Sequence, residues 1–224
     1  MSRHGVIGAP PPGSRGGREA APVTAAPQTA SAPSRLALAA VAGLSVGAGT
    51  SAAQTLLGGF ALAGLANAVS PWVMAPFFLG ATGRSRGSAV VLGTAACLAS
   101  VAGYYLVSAL RGFGVNPTTV LIWSLAALIA GSVFGLAGHH WATARARTRG
   151  LGAALLVAVW ASEAVVTYGV VLGYVDDAVV FGAIAVLLFM LLGRRDRQHA
   201  AILAWLVPAV MLGAAGTLTL HAIV

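Results

Sequence analysis

The sequence predicts an all-α membrane protein: a polytopic bundle of seven transmembrane helices behind a disordered N-terminal tail. Two observations carry this. The 224-residue chain is 58% hydrophobic and 8% charged, with a mean hydropathy of +0.87, against roughly 25% charged residues in an ordinary soluble domain. Its apolar residues also fall in runs of about twenty, the length a helix needs to cross a ~30 Å hydrocarbon core, and arginines punctuate these runs.

Residues 1–34 are rich in Pro, Gly, Ala and Ser, including Ala9-Pro10-Pro11-Pro12, and have almost no large apolar side chain. Such a segment buries too little surface to offset its ordering entropy, so it is expected to be a disordered tail before a transmembrane domain at 35–224. No compact apolar run follows its first basic residues, so it does not read as a signal peptide. From Leu36 to Thr82 there are 47 residues without a charge. At ~1.5 Å per residue they would form a helix of about 70 Å, too long for one crossing. Gly58-Gly59 is the natural break, giving spans at 36–57 and 60–82. The next run, 88–110, is bounded by Arg84 and Arg86 on one side and Arg111 on the other. A run at 117–138 lies between Asn116-Pro117 and His139-His140, and 151–175 ends at Asp176-Asp177. The run 178–193 is short, at 16 residues, and 200–224 completes the seven. Joining the two halves of the first hairpin would leave six.

Charge then sets the orientation. The tail, with Arg35 at its end, and the loops at 83–87, 139–150 and 194–199 carry 12 of the 13 arginines. With seven spans all four segments fall on one side, which the positive-inside rule assigns to the cytoplasm. The other side has Arg111, Asp176 and Asp177. The expected location is the cell (inner or plasma) membrane.

Several function classes lack their residues. The chain has no lysine, so it has no P-loop and no Schiff-base amine. The net charge of +8 resembles a nucleic-acid binder, but its arginines lie between apolar runs, and no nucleic-acid partner is expected. Cys97 is alone. There is no His-Glu-x-x-His, Gly-x-Ser-x-Gly or Cys pair, so no catalytic set, metal or cofactor is assigned. His139-His140-Trp141 reads as an interfacial group, since adjacent histidines on a helix diverge.

The polar residues inside the spans are the candidate site. Glu163 lies near the middle of the fifth span, with Trp160 and Thr167 on the same helix face. A carboxylate at that depth must be protonated or partnered, and such groups mark ligand or ion pathways. In the second span, Asn67-Ala-Val-Ser70-Pro71-Trp72 and then Pro76 predict a helix kinked by two prolines, each freeing a carbonyl. Broken helices at membrane depth commonly line cavities. With the assigned orientation, Gln54, Asn67, Ser70, Trp72, Tyr104, Glu163, Tyr168 and His221 lie between the midplane and the outer face. Tyr105, Trp123 and Tyr174 read as an interfacial aromatic belt. This asymmetry predicts an outward polar-aromatic pocket, with Glu163, Asn67, Trp72, Tyr104 and Ser70 as ligand-binding residues. It would suit a small, partly aromatic or apolar ligand with one hydrogen-bonding or cationic group.

Packing surfaces are also legible. Ala39, Gly43, Gly47, Ser51 and Thr55 recur every four residues on the first span, and Ala127, Gly131 and Gly135 repeat the pattern on the fourth. Such stripes let helix backbones approach closely. They read as packing within the bundle, or as docking faces for a membrane partner.

The stretches Leu65-Ala-Asn-Ala-Val-Ser-Pro-Trp72, Phe77-Phe-Leu-Gly-Ala81, Gly103-Tyr-Tyr105, and Trp123 followed by Gly131-Ser-Val-Phe-Gly-Leu-Ala-Gly-His139 resemble an uncharacterised domain-of-unknown-function family of small actinobacterial integral membrane proteins. The resemblance covers most of 36–175 and implies a membrane location, without an activity. In size and outer pocket the chain is also similar to the substrate-capture subunits of energy-coupling factor transporters. That likeness implies an ATPase or scaffold partner and a small-molecule ligand. The leading expectation is therefore a small-molecule transporter or capture subunit. The alternatives are an assembly protein docking through the small-residue faces, and an intramembrane lipid-modifying enzyme using Glu163.

Overall fold

Several helices start where the sequence supplies a local cap. The computed structural model describes residues 31–57, 62–143 and 146–223. Among these, α1 (Ala32–Leu56) begins with Pro33 in its first turn behind Ser31. A short 3₁₀ turn, Ala63–Ala66, leads to α2 (Ser70–Ala81). At the start of α3 (Arg86–Leu110), Ser85 and Ser88 form a reciprocal capping box, with the Ser88 amide donating to Ser85 Oγ at 3.2 Å and the Ser85 amide to Ser88 Oγ at 2.9 Å. Two unpaired helix donors are satisfied in that way. For α4 (Pro117–Thr143), Asn116 Oδ1 accepts from the Thr118 amide at 2.9 Å. Gly150, with φ +80°, turns the chain into α5 (Leu151–Ser162), which continues as a π-helix over Glu163–Val171. The bundle ends with α6 (Val175–Arg194) and α7 (His199–Ile223). The expected tail up to residue 30 and the Gly58-Gly59 break lie outside the described residues, as does the His221 side chain.

The expected spans shift in three places. First, α4 runs on through His139-His140-Trp141. Second, α6 takes Asp176 and Asp177 into its first turn and so reaches 20 residues, because carboxylates are favoured at the positive end of a helix. The third and largest change is the second span. It is not a continuous kinked helix. Residues 67–69 are non-helical, and Pro71 sits in the first turn of α2, where a missing amide costs no hydrogen bond. Only Pro76 lies inside that helix. At 12 residues, α2 is about 18 Å long, too short to cross by itself. Among the described residues, six helices are long and apolar enough to do so. The broken segment nevertheless runs the depth of α1. At one end Gln54 Nε2 donates to Asn67 Oδ1 at 2.9 Å, and at the other Arg35 Nη1 donates to the Thr82 carbonyl at 3.1 Å.

Contacts at the helix ends gather the arginine-bearing segments together. Besides the Arg35–Thr82 bond, His139 Nδ1 lies 3.1 Å from the Gly83 carbonyl oxygen, and Gln198 Oε1 accepts from the Gly150 amide at 3.2 Å. Trp141 Nε1 donates to the Leu192 carbonyl at 3.1 Å, and Arg195 Nη2 donates to Ala142 at 3.0 Å while its guanidinium covers the Trp141 ring. Those loops therefore share one end of the bundle, the end that charge assigns to the cytoplasm. The outer faces are apolar: Leu110 is 78% exposed, Val207 71% and Met211 68%. A surface of that kind is stable against lipid and not against water.

Inside, α3 is the central strut, flanked by α1 and α4. Gly43 and Gly47 press on the α3 backbone so closely that a Cβ on Gly47 would lie 1.8 Å from the Ser100 carbonyl oxygen. A Cβ on Gly131 would lie 2.7 Å from Thr94 Cα, and one on Gly135 2.4 Å from the Ala89 carbonyl oxygen. Both small-residue stripes thus face α3, and helices at this spacing gain dispersion contact along their backbones. The larger side chains form a second core between α2, α5, α6 and α7, around the fully buried Phe77, Leu156, Phe181 and Ile202. Gly47→Leu is expected to destabilise the folded bundle by roughly 1–3 kcal/mol or more, the usual range for overpacking. Gly49 has open space around it, so Gly49→Ala should leave the unfolding temperature in detergent unchanged or raise it. Equal effects of the two substitutions would contradict the packing described.

Candidate functional site

The first amides of any helix lack partners within that helix. In α2 the preceding residue, Val69, has no side chain that could cap them. The carboxylate comes from another helix. Glu163 Oε1 accepts from the Val69 amide at 2.8 Å, and Oε2 accepts from the Ser70 amide at 2.9 Å and from the Ser70 hydroxyl. Glu163 is 5% exposed and stands at the first position of the π-helix. A negative group there also meets the positive end of the α2 dipole. These donors help to accommodate a carboxylate at membrane depth.

Two further groups hold the break from the same side. Asp177 Oδ1 accepts from the Gly64 amide at 3.2 Å, and the Tyr168 hydroxyl donates to the Gly64 carbonyl at 2.8 Å. On the opposite side, Gln54 links Asn67 to α3, where the Tyr104 hydroxyl donates to Gln54 Oε1 at 3.0 Å. The break at 63–70 is therefore clamped by side chains from α1, α6 and α5 with its π-helical continuation, and Tyr104 of α3 braces Gln54.

Beside it lies a cavity of about 680 Å³, within the range of small-molecule sites. Its walls come from α2, α3, α4 and the end of α1. Arg111, Phe113 and Asn116 stand at one end, Cys97 and Ala130 at the other. The fourteen steps from Cys97 to Arg111 measure about 21 Å along α3. Trp72 projects into it, with its ring centroid 5.6 Å from Tyr104 and 6.4 Å from Trp123.

Asn67, Trp72 and Tyr104 thus line one cavity. Glu163 and Ser70 are not among its lining residues, and they meet each other on the α5 side of the break. Tyr105 and Trp123, which read as an interfacial belt, also line it. Arg111 was not read as a site residue at all. Its signal is in the sequence: it is the only arginine outside the tail, Arg35 and the loops at 83–87, 139–150 and 194–199. Trp160 Nε1 and Thr167 Oγ1, on either side of Glu163 in sequence, are buried without a hydrogen-bond partner among the described residues. No cluster of three or more His, Cys, Asp or Glu side chains suited to a metal occurs among the described residues.

Six membrane-length apolar helices, a seventh broken segment and lipid-compatible outer faces define a multi-pass helical integral membrane protein. Residues 26–223 match the model of a family of unknown function, DUF6518, and the chain belongs to that family. No curated protein and no solved structure matches it.

Gly64 tests the clamp. A Cβ there would lie 2.3 Å from Asp177 Oδ1 and 3.1 Å from Tyr168 Cε1. Gly64→Ala is expected to destabilise the fold by roughly 1–3 kcal/mol, as overpacking does. Combined with Asp177→Ala it should cost less than the sum of the two, because the clash and the bond involve the same pair. Strict additivity in thermal unfolding would dissociate Asp177 from the break.

Proposed function

We propose that this protein captures or transports a small molecule, which it holds in the cavity beside the broken second segment. The observation that carries this is a half-helix whose start borders a cavity lined by Asn67, Trp72 and Tyr104. Irregular backbone is expensive in a bilayer, and it persists where it serves a cavity. In this reading Trp72, Tyr104 and Asn67 contact the ligand. Glu163 and Ser70 position the break, and the break is the element that moves when the ligand enters or leaves. The arginine-rich end is cytoplasmic, so the Arg111 end of the cavity faces outward. The chain carries no P-loop lysine, so energy comes from a coupled ion or from a partner ATPase, with or without a scaffold subunit.

Docking to another membrane protein through the small-residue stripes has less support, because Gly43, Gly47, Gly131 and Gly135 are in close contact with α3. Lipid-modifying chemistry has less support, because Glu163 and the Ser70 hydroxyl bond each other at the start of α2 and neither lines the cavity.

Native mass spectrometry of the protein purified in mild detergent tests the proposal. The wild type is expected to retain a small molecule that Trp72→Ala loses. Glu163→Gln should weaken retention at least about tenfold, since an amide cannot accept from both backbone donors and a buried charged acceptor is worth ~1.5–3 kcal/mol. Full retention by Glu163→Gln would remove the carboxylate from the site. Full retention by Trp72→Ala would remove the cavity. A stoichiometric protein partner in place of a small molecule would favour the assembly reading.

A further inference from the structure

We infer that the cavity takes an amphipathic organic anion, with its acidic group at Arg111 and its apolar or aromatic body between Trp72, Tyr104 and Trp123. This inference rests on reading the cavity as a binding site. Its first support is charge. The lining residues include one cation, Arg111, and no carboxylate. The carboxylates that hold the break, Glu163 and Asp177, accept from the amides of Val69, Ser70 and Gly64 and are not in the lining. The lining therefore offers a cation no carboxylate, only aromatic faces, and its one formal charge is the positive charge of Arg111.

The second support is the state of Arg111. Its guanidinium donates to the Ser51 carbonyl, to Ser51 Oγ and to Thr55 Oγ1. All three acceptors are neutral. They fix the group on α1 but do not balance its charge, and no ion pair involves it among the described residues. A guanidinium has five N–H donors, and three are used among the described residues. The Phe113 ring, 4.9 Å from the guanidinium carbon, holds its plane from another side. An arginine anchored in this way is prepared for a carboxylate or phosphate.

The third support is the gradient along the cavity. Ser108, Asn116 and Thr119 accompany Arg111 at the rim, whereas Val73, Val101, Ala127 and Ala130 make the deep end apolar. Three aromatic rings stand between the two ends. A polar acidic head and a flat apolar body match that order. Topology offers no competing reason for the residue, since every other arginine lies in the segments assigned to the opposite side.

Three probes of one shape test this: 2-naphthylacetate, 2-naphthylacetamide and 2-(2-naphthyl)ethylammonium. Binding to the full chain is read by quenching of Trp fluorescence, with Trp72→Ala as the control for the cavity. The acetate should bind the wild type at least about tenfold more tightly than the amide, the increment of a charge-assisted pair, and the ammonium should bind most weakly. Arg111→Gln should abolish this order, and Arg111→Lys should keep most of it, which separates charge from folding. Equal binding of acetate and amide to the wild type would overturn the anion while leaving the cavity as a site. No Trp72-dependent quenching by any probe would overturn both. Repeating the titration in phosphatidylcholine and phosphatidylglycerol nanodiscs, at raised ionic strength to screen the surface potential, distinguishes the sources of the anion. Displacement of the acetate by phosphatidylglycerol assigns it to a lipid headgroup, and unchanged binding assigns it to a soluble acid.

Discussion

A carboxylate from the fifth helix terminates the backbone of the second. Glu163 supplies the acceptors that the first amides of α2 need, and the irregular segment 67–69 depends on that supply. In hydrocarbon an unpaired amide costs several kcal/mol. Without Glu163 the segment would have to become a continuous helix or be expelled. The carboxylate in turn draws on the segment, whose Val69 and Ser70 amides and Ser70 hydroxyl donate to it. Each solves the other's desolvation problem. Asp177 and Tyr168 extend the same arrangement one turn outward, to Gly64. The α5–α6 pair therefore acts as a template for a piece of backbone with no regular structure of its own.

The helices on the other side of the break meet by a different rule. There α1, α3 and α4 meet through glycine and alanine, with carbonyls of one helix against Cα atoms of the next. Close backbone contact leaves little room for large side chains between them. Bulk is concentrated instead on α2, α5 and α6, around Phe77, Leu156 and Phe181. The cavity lies where the close-packed rows end: at the outer parts of α3 and α4 the small residues give way to Tyr104, Tyr105 and Trp123, which stand the helices apart. Its position thus follows from where each stripe stops.

Much of this was legible in the sequence. Hydropathy and arginine spacing place the helices, since bilayer thickness and topology leave direct marks on composition. The stripes at Gly43/Gly47 and Gly131/Gly135 announce close packing, because only small residues allow it. Glu163 was recognisable as special from its depth alone. Its partner was not. The Val69 and Ser70 amides carry no side-chain signature, and a contact across ninety-odd residues leaves no local pattern. The same holds for the break. Pro71 reads equally as a mid-helix kink or as a first-turn residue, and only an external cap decides between them. Tyr105 and Trp123 were ambiguous for a related reason. Depth is readable from sequence but rotation about the helix axis is not, so a cavity wall and an interfacial belt look alike.

The rotation of these helices also bears on the sign of the ligand. In transporters with broken helices, the positive end of a half-helix often receives the anionic group of the substrate. Here that end is occupied by the protein's own Glu163. The half-helix therefore cannot supply the anion site without breaking the contact that creates it. The remaining positive group facing the cavity is Arg111, held by neutral oxygens on α1 and about 21 Å along α3 from the deep end. Recognition at the rim and motion at the break are then assigned to different residues. In that reading a ligand anchored at Arg111 would meet the break directly at Asn67 and Val69, and beside them at Trp72. Val69 both lines the cavity and donates its amide to Glu163, so it is the shortest connection by which occupancy would be felt at the clamp.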